Sequence, residues 1–112
     1  MKKFLCFLLA LVTDTAFANE SHKQLAAMSE ADRRVMLSLF MRENGEACFV
    51  TKTFYQGSDS KGTASWNVAC SNGKAFVIGV ANDAGGSTSI LGCEVLKAVA
   101  RVECFKPFSQ QR

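Results

Sequence analysis

Proline, histidine, tryptophan and tyrosine each occur once in the 112 residues. With His22 as the sole histidine, any Ser-His-Asp or Cys-His site would have to be built on that one residue. His22 lies close to the start of the predicted mature chain, where a side chain is ordinarily solvated. No C-x-x-C pair occurs, which disfavours thiol-exchange chemistry. No basic block is present, Arg33-Arg34 being the densest pair beyond the first few residues. The electrostatic footprint of a nucleic-acid binder is therefore missing. No apolar run approaches the roughly 18 residues needed to span a bilayer.

The longest apolar run is Phe4 to Val12, preceded by Lys2 and Lys3 and followed by polar Thr13, Asp14 and Thr15. Ala16-Phe17-Ala18 places small residues where signal peptidase accepts them, so residues 1–18 read as a cleavable secretory signal peptide. Cys6 sits near the start of the apolar run rather than just after it, so it reads as an apolar residue of the signal and not as a lipidation site. Removing 18 of the 112 residues leaves 94, residues 19–112, a single small exported domain. Lys2, Lys3 and Asp14 leave with the signal, and the net charge falls from +3 to +2.

The mature chain keeps Cys48, Cys70, Cys93 and Cys104. An even count in a short exported chain implies two disulfides and a periplasmic or secreted location. The cysteines are too widely spaced for the close ligand pairs of a zinc site, so no metal and no cofactor is expected.

Ser21-x-x-Gln24 and Ser29-x-x-Asp32 are two capping signals, which predict a helix that breaks and restarts. The second helix should run from Glu30 to Asn44 and stop at Gly45. It is apolar on several stripes: Val35/Leu39, Met36/Phe40 and Leu37/Met41. A helix lying deep against a sheet explains this. So does a partner surface with Met28, Met36 and Met41 as adaptable contacts, although the first explanation is the simpler.

Residues 48–56 are rich in β-branched and aromatic side chains and predict a strand. Thr63 to Cys70 alternates, with Ala64, Trp66, Val68 and Cys70 on one face, and Ala75 to Ala81 follows a Ser71-Asn72-Gly73 turn. A three-residue loop with Gly73 left-handed would pair Val68 with Phe76, Trp66 with Ile78 and Ala64 with Val80, keeping the apolar residues together. A five-residue loop, Gly57 to Lys61, would pair Phe54 with Ala64, Val50 with Val68 and Cys48 with Cys70. The remaining disulfide is then Cys93–Cys104. Thr88 to Leu91 offers a short strand and residues 109–112 a polar tail. Residues 94–101 fit a helix through Val95, Val99 and Val102 or a strand through Leu96, Ala98 and Ala100, and the segment bracketed by Cys93 and Cys104 favours a short helix. The expected fold is α+β: an N-terminal helix packed on an antiparallel meander of three to four strands, a short C-terminal helix and two disulfides.

Function is less legible. The acids read as solvated, with Glu94 and Glu103 in the most apolar surroundings. The Gly57–Gly62 and Asp83–Thr88 loops read as connections, since neither has the lysine of a phosphate loop or the ordered acids of a calcium loop. Trp66 reads as core. On the expected register Phe49, Thr51, Thr53 and Tyr55 share the outer face of the first strand and form a candidate binding surface. These features lead to the expectation of a non-catalytic binding, accessory or inhibitor module whose partner is another envelope protein, with no nucleic acid and no membrane anchor after cleavage. Two other classes stand beside it. A structural subunit of an envelope assembly would carry a large apolar patch on the helix, and a small carboxylate hydrolase would bring two acids together with one pKa raised.

Overall fold

The computed structural model describes residues 19–111, so residues 1–18, read above as a signal peptide, lie outside the described residues. Helix α1 (Glu20–Ala27) and helix α2 (Glu30–Glu43) are followed by strands β1 (Val50–Ser58), β2 (Ala64–Cys70), β3 (Ala75–Val80) and β4 (Thr88–Gly92), then helix α3 (Cys93–Ala100) and a single 3-10 turn (Phe108–Gln110). The strands form one antiparallel sheet in the order β1-β2-β3-β4. The α+β architecture is as expected, and residues 93–100 resolve as helix.

The break between α1 and α2 is where the second capping signal places it. The Ser29 hydroxyl accepts the Asp32 N–H at 3.1 Å. The first helix starts two residues earlier than Ser21 predicts, because the Asn19 side chain accepts the His22 N–H. Asn19 is itself buried. Its amide donates to the carbonyls of Gly62 and Val80, and its backbone N–H donates to Asn82 Oδ1.

The β2–β3 hairpin has the predicted register, Val68 with Phe76, Trp66 with Ile78 and Ala64 with Val80. Its loop closes through Cys70 N–H to the Lys74 carbonyl at 2.8 Å. Gly73 takes φ +90°, the left-handed conformation that the bulged loop requires.

The β1–β2 register differs from expectation. Phe54 faces Asn67, Tyr55 faces Trp66 and Val50 faces Cys70. Two irregularities, between Val50 and Lys52 and between Tyr55 and Gly57, shift the pairing along the strand. The cause lies in the loop. Asp59 Oδ1 accepts the N–H groups of Lys61 and Thr63, so the turn forms after Ser58 and not at Gly57. Gly57 is instead part of the strand, at φ +140°, with the Phe108 ring where a side chain would stand.

One sheet face carries α1 and α2. Its core contains Leu25, Leu37, Met41, Val50, Trp66, Val68 and Ile78. Met41 is fully enclosed, which assigns the Leu37/Met41 stripe to the core. The opposite face is covered by α3 and by residues 101–111, so the polar tail expected at the C-terminus is structured up to Gln111, whose side chain bonds to the backbone of Glu103, Lys106 and Pro107. Both disulfides form as predicted. Cys48–Cys70 is buried beside β1, and Cys93–Cys104 ties the start of α3 to the C-terminal segment. Two disulfides are the mark of an oxidising compartment. Among the described residues no helix is long and apolar enough to cross a membrane.

Candidate functional site

The four residues expected on one outer face are divided by the bulge at Thr51. Phe49 and Thr51 reach solvent at one end of β1. Thr53 turns toward α2, where its hydroxyl donates to Glu30 Oε1 at 2.6 Å. Tyr55 shares the helix-side face with Trp66, with ring centroids 5.2 Å apart. The single exposed aromatic face of the sequence reading is therefore two separate places.

The first place is a groove. Helix α2 runs beside β1, and between them lies an open cleft of about 790 Å³. Val35 and Leu39 supply one wall, Ala47 and Phe49 the other, and Cys48 of the buried disulfide lies at its base. Val35 is 62% exposed and Phe49 69%, high values for side chains that gain about 25 cal/mol per Å² on leaving water. The rim carries Arg34 and Arg42, two turns apart on α2, against one carboxylate, Glu46. Local structure explains how helix and strand are held on either side of the cleft. The Ser38 hydroxyl accepts the Val50 N–H at 2.8 Å, and Glu30 Oε2 accepts the Thr53 N–H at 3.1 Å. These two bonds hold the helix against the strand edge and leave the Val35/Leu39 stripe uncovered. One stripe of the helix is core and a neighbouring stripe is surface; Met41, expected among the adaptable contacts of a partner surface, is instead fully buried.

Glu30 anchors this arrangement. It also pairs with Arg33 at 2.9 Å and Arg34 at 3.1 Å. Partial burial opposes its charge, but the bonds from Thr53 and Arg34 prevail and hold its carboxyl below the usual range. Sequence reading assigned this acid to solvent. Its partner Thr53 lies 23 positions away, and no local pattern signals such a contact.

The second place is an aromatic cluster. Trp66 Nε1 donates to His22 Nδ1 at 3.0 Å, the His22 ring lies 4.6 Å from Tyr55, and the Arg33 guanidinium sits 4.9 Å from the Trp66 ring centre. Arg33 also donates to the carbonyls of Leu25, Ala26 and Met28. These bonds cap the end of α1 and fix the corner between the helices. His22 is thus a packed side chain and not the solvated one expected near a terminus. Desolvation lowers its pKa. With Nδ1 occupied by the indole, it works here as a fastening between helix and sheet.

A third polar feature lies on the opposite sheet face. Asn67 and Gln56 are buried; Asn67 donates to Gln56 Oε1 at 3.0 Å and accepts the Phe105 N–H at 2.6 Å. Gln56 donates to the carbonyls of Glu103 and Lys106. The pair docks the C-terminal segment.

The carboxylates with a displaced pKa, Glu30 and Asp83, are both lowered, the opposite of what a general acid requires. Asp83 owes its shift mainly to the Ser87 N–H and hydroxyl, a loop-closing arrangement. Glu94 and Glu103 are exposed. Among the described residues no group of three His, Cys, Asp or Glu is placed to hold a metal. Comparison with protein-family models, curated proteins and solved structures returned no match.

Proposed function

We propose that the chain is an exported, disulfide-stapled, non-catalytic module that binds another protein of the periplasm or exterior through the α2–β1 groove. The observation that carries the reading is the coincidence of exposed apolar residues with a shaped cleft: Val35, Leu39 and Phe49 line one groove and are not scattered. Arg34 on the rim is already paired with Glu30, which leaves Arg42 as the cation to meet an acidic residue, so the partner segment is amphipathic, with apolar anchors for the floor and an acid for Arg42. Inhibition of an envelope enzyme is one form such binding can take.

Export rests on the signal-like segment and on the two disulfides. Intact mass of the exported protein beginning at Asn19 is the expected result.

The binding reading is tested by affinity capture from periplasmic extract with three baits: the native chain, Phe49→Glu and Arg42→Glu. Both positions are surface, and each variant should keep the native circular dichroism. A specific partner captured by the native chain and lost by both variants is expected. Equal capture by all three, or capture of nothing under mild washing, would remove the groove from the proposal.

A further inference from the structure

The two edges of the sheet are treated differently. The β1 edge is blunted: Ser38 and Glu30 of α2 accept its outward N–H groups at Val50 and Thr53, and two irregularities bend the strand. The β4 edge has none of these devices. Thr88-Ser89-Ile90-Leu91-Gly92 contains no charge and no proline, pairs with β3 without a bulge, and among the described residues no side chain bonds to its outer side.

Hydrogen-bond phase shows which groups are free. Ala81 N–H donates to the Ser87 carbonyl, so the closely bonded pairs of this ladder are 81/87, 79/89 and 77/91. Ser89 and Leu91 therefore spend their backbone groups on β3. The N–H groups of Thr88, Ile90 and Gly92 point outward.

Both flanks of this edge are apolar. On the helix side a cleft lined by Met36, Phe40 and Thr88 adjoins it, with Ile90 only partly buried. On the other side Leu91, Val95 and Val99 are exposed, Val99 to 73%. Helix α3 thus presents an apolar line beside the open strand.

We propose that β4 pairs with β4 of a second copy of this chain, joining two four-stranded sheets across a two-fold axis. Self-pairing is compatible with both the register and the charge of this edge. An antiparallel pair centred on Ile90 sets Ile90 against its own copy on the helix side and Ser89 against Leu91 on the other, so every side chain keeps its face. The outward N–H and C=O of Ile90 bond reciprocally, and the Gly92 N–H meets the Thr88 carbonyl. The absence of charge on β4 removes the like-charge repulsion that a two-fold axis would otherwise impose. The exposed Leu91, Val95 and Val99 then lie at the seam. The α2–β1 groove, at the opposite edge, remains open.

Sedimentation velocity of the oxidised, exported chain over about 1 to 100 μM tests this, read together with amide exchange. A dimer is expected, with protection at Ile90 and Gly92 rising with concentration while Ser89 and Leu91 stay protected throughout. Thr88→Lys places a charge on the edge without removing an internal bond, and Val95→Glu places one at the seam. Each should raise the dimer dissociation constant at least about tenfold with circular dichroism unchanged. A monomer throughout, a dimer indifferent to both substitutions, or concentration-dependent protection confined to other strands would each overturn the proposal.

Discussion

Histidine 22 shows what a single side chain contributes beyond its position in the sequence. Its Nδ1 accepts the Trp66 indole N–H, a role open only to the neutral ring. Burial lowers its pKa in the folded protein. The unfolded chain, with a pKa near 6.5, therefore binds a proton first as pH falls. The stability tied to the neutral ring is fully present above about pH 6.5 and is lost as pH drops through the lowered folded value. Chemical denaturation from pH 8 to 5 should show this decline, and His22→Phe, which keeps the packing on Tyr55 but cannot titrate, should flatten it. A slope unchanged by the substitution would assign the decline to other groups. Glu30 has the same proton preference, with its pKa also lowered on folding, but a lower pH window. Its folded pKa is depressed, so its contribution is present above the ordinary carboxylate value of about 4.3 and disappears as pH falls through the depressed one. Glu30→Gln should weaken the α2–β1 attachment, reducing stability by about 1–3 kcal/mol above pH 5 and by less at pH 3, as read from urea midpoints.

At the level of elements, the sequence announced what depends on near neighbours and concealed what depends on distant ones. The Ser29 cap, the Leu37/Met41 stripe and the Ser71-Asn72-Gly73 turn act within a few residues, and each appears where the pattern places it. The pairing of Cys48 with Cys70 also follows from hairpin logic, even though the surrounding register is shifted. That shift was hidden because Gly57 carries the signature of a loop but serves as a bulge beneath Phe108, 51 positions later. The candidate surface was divided with it: Phe49 and Thr51 stay exposed at one end, Thr53 is drawn to α2, and Tyr55, still 40% exposed, lies beside Trp66. Gln56 and Asn67 resemble solvent-facing residues in a strand until the C-terminal segment is laid over them. Because they are buried, their polarity has consequences. Asn67→Leu leaves the Gln56 amide oxygen and the Phe105 N–H without their partner, at about 1–3 kcal/mol for each group. The double variant Gln56→Leu, Asn67→Leu removes part of that unpaired polarity and should lose less than the two single variants summed. Additive losses in a double-mutant cycle would show that the two residues act separately.

Across the whole molecule the two disulfides secure different layers and differ in access. Cys48–Cys70 is buried between α2 and the sheet, whereas Cys93 and Cys104 are both partly open to solvent. Each closes a loop of a size that in the chain-entropy account is worth about 3 kcal/mol. Losing either is a large part of the 5–15 kcal/mol typical of a domain. The consequences differ because the layers do. The helix layer carries the core cluster and the groove. The opposite layer is a short helix with no buried side chain and a segment held by Gln56, Asn67 and Phe105, the last in a left-handed conformation at φ 62°. Such a conformation costs about 1–2 kcal/mol outside glycine and persists only while its surroundings impose it. Limited thiol reductant should therefore open Cys93–Cys104 first and release residues 101–111, while the helix layer stays folded around Cys48–Cys70. Alkylation followed by peptide mass mapping should find Cys93 and Cys104 labelled before the other pair, with the indole fluorescence of Trp66 still native at that stage. Labelling of Cys48 and Cys70 first, or loss of the Trp66 signal together with the first bond, would mean that the two layers unfold as one unit.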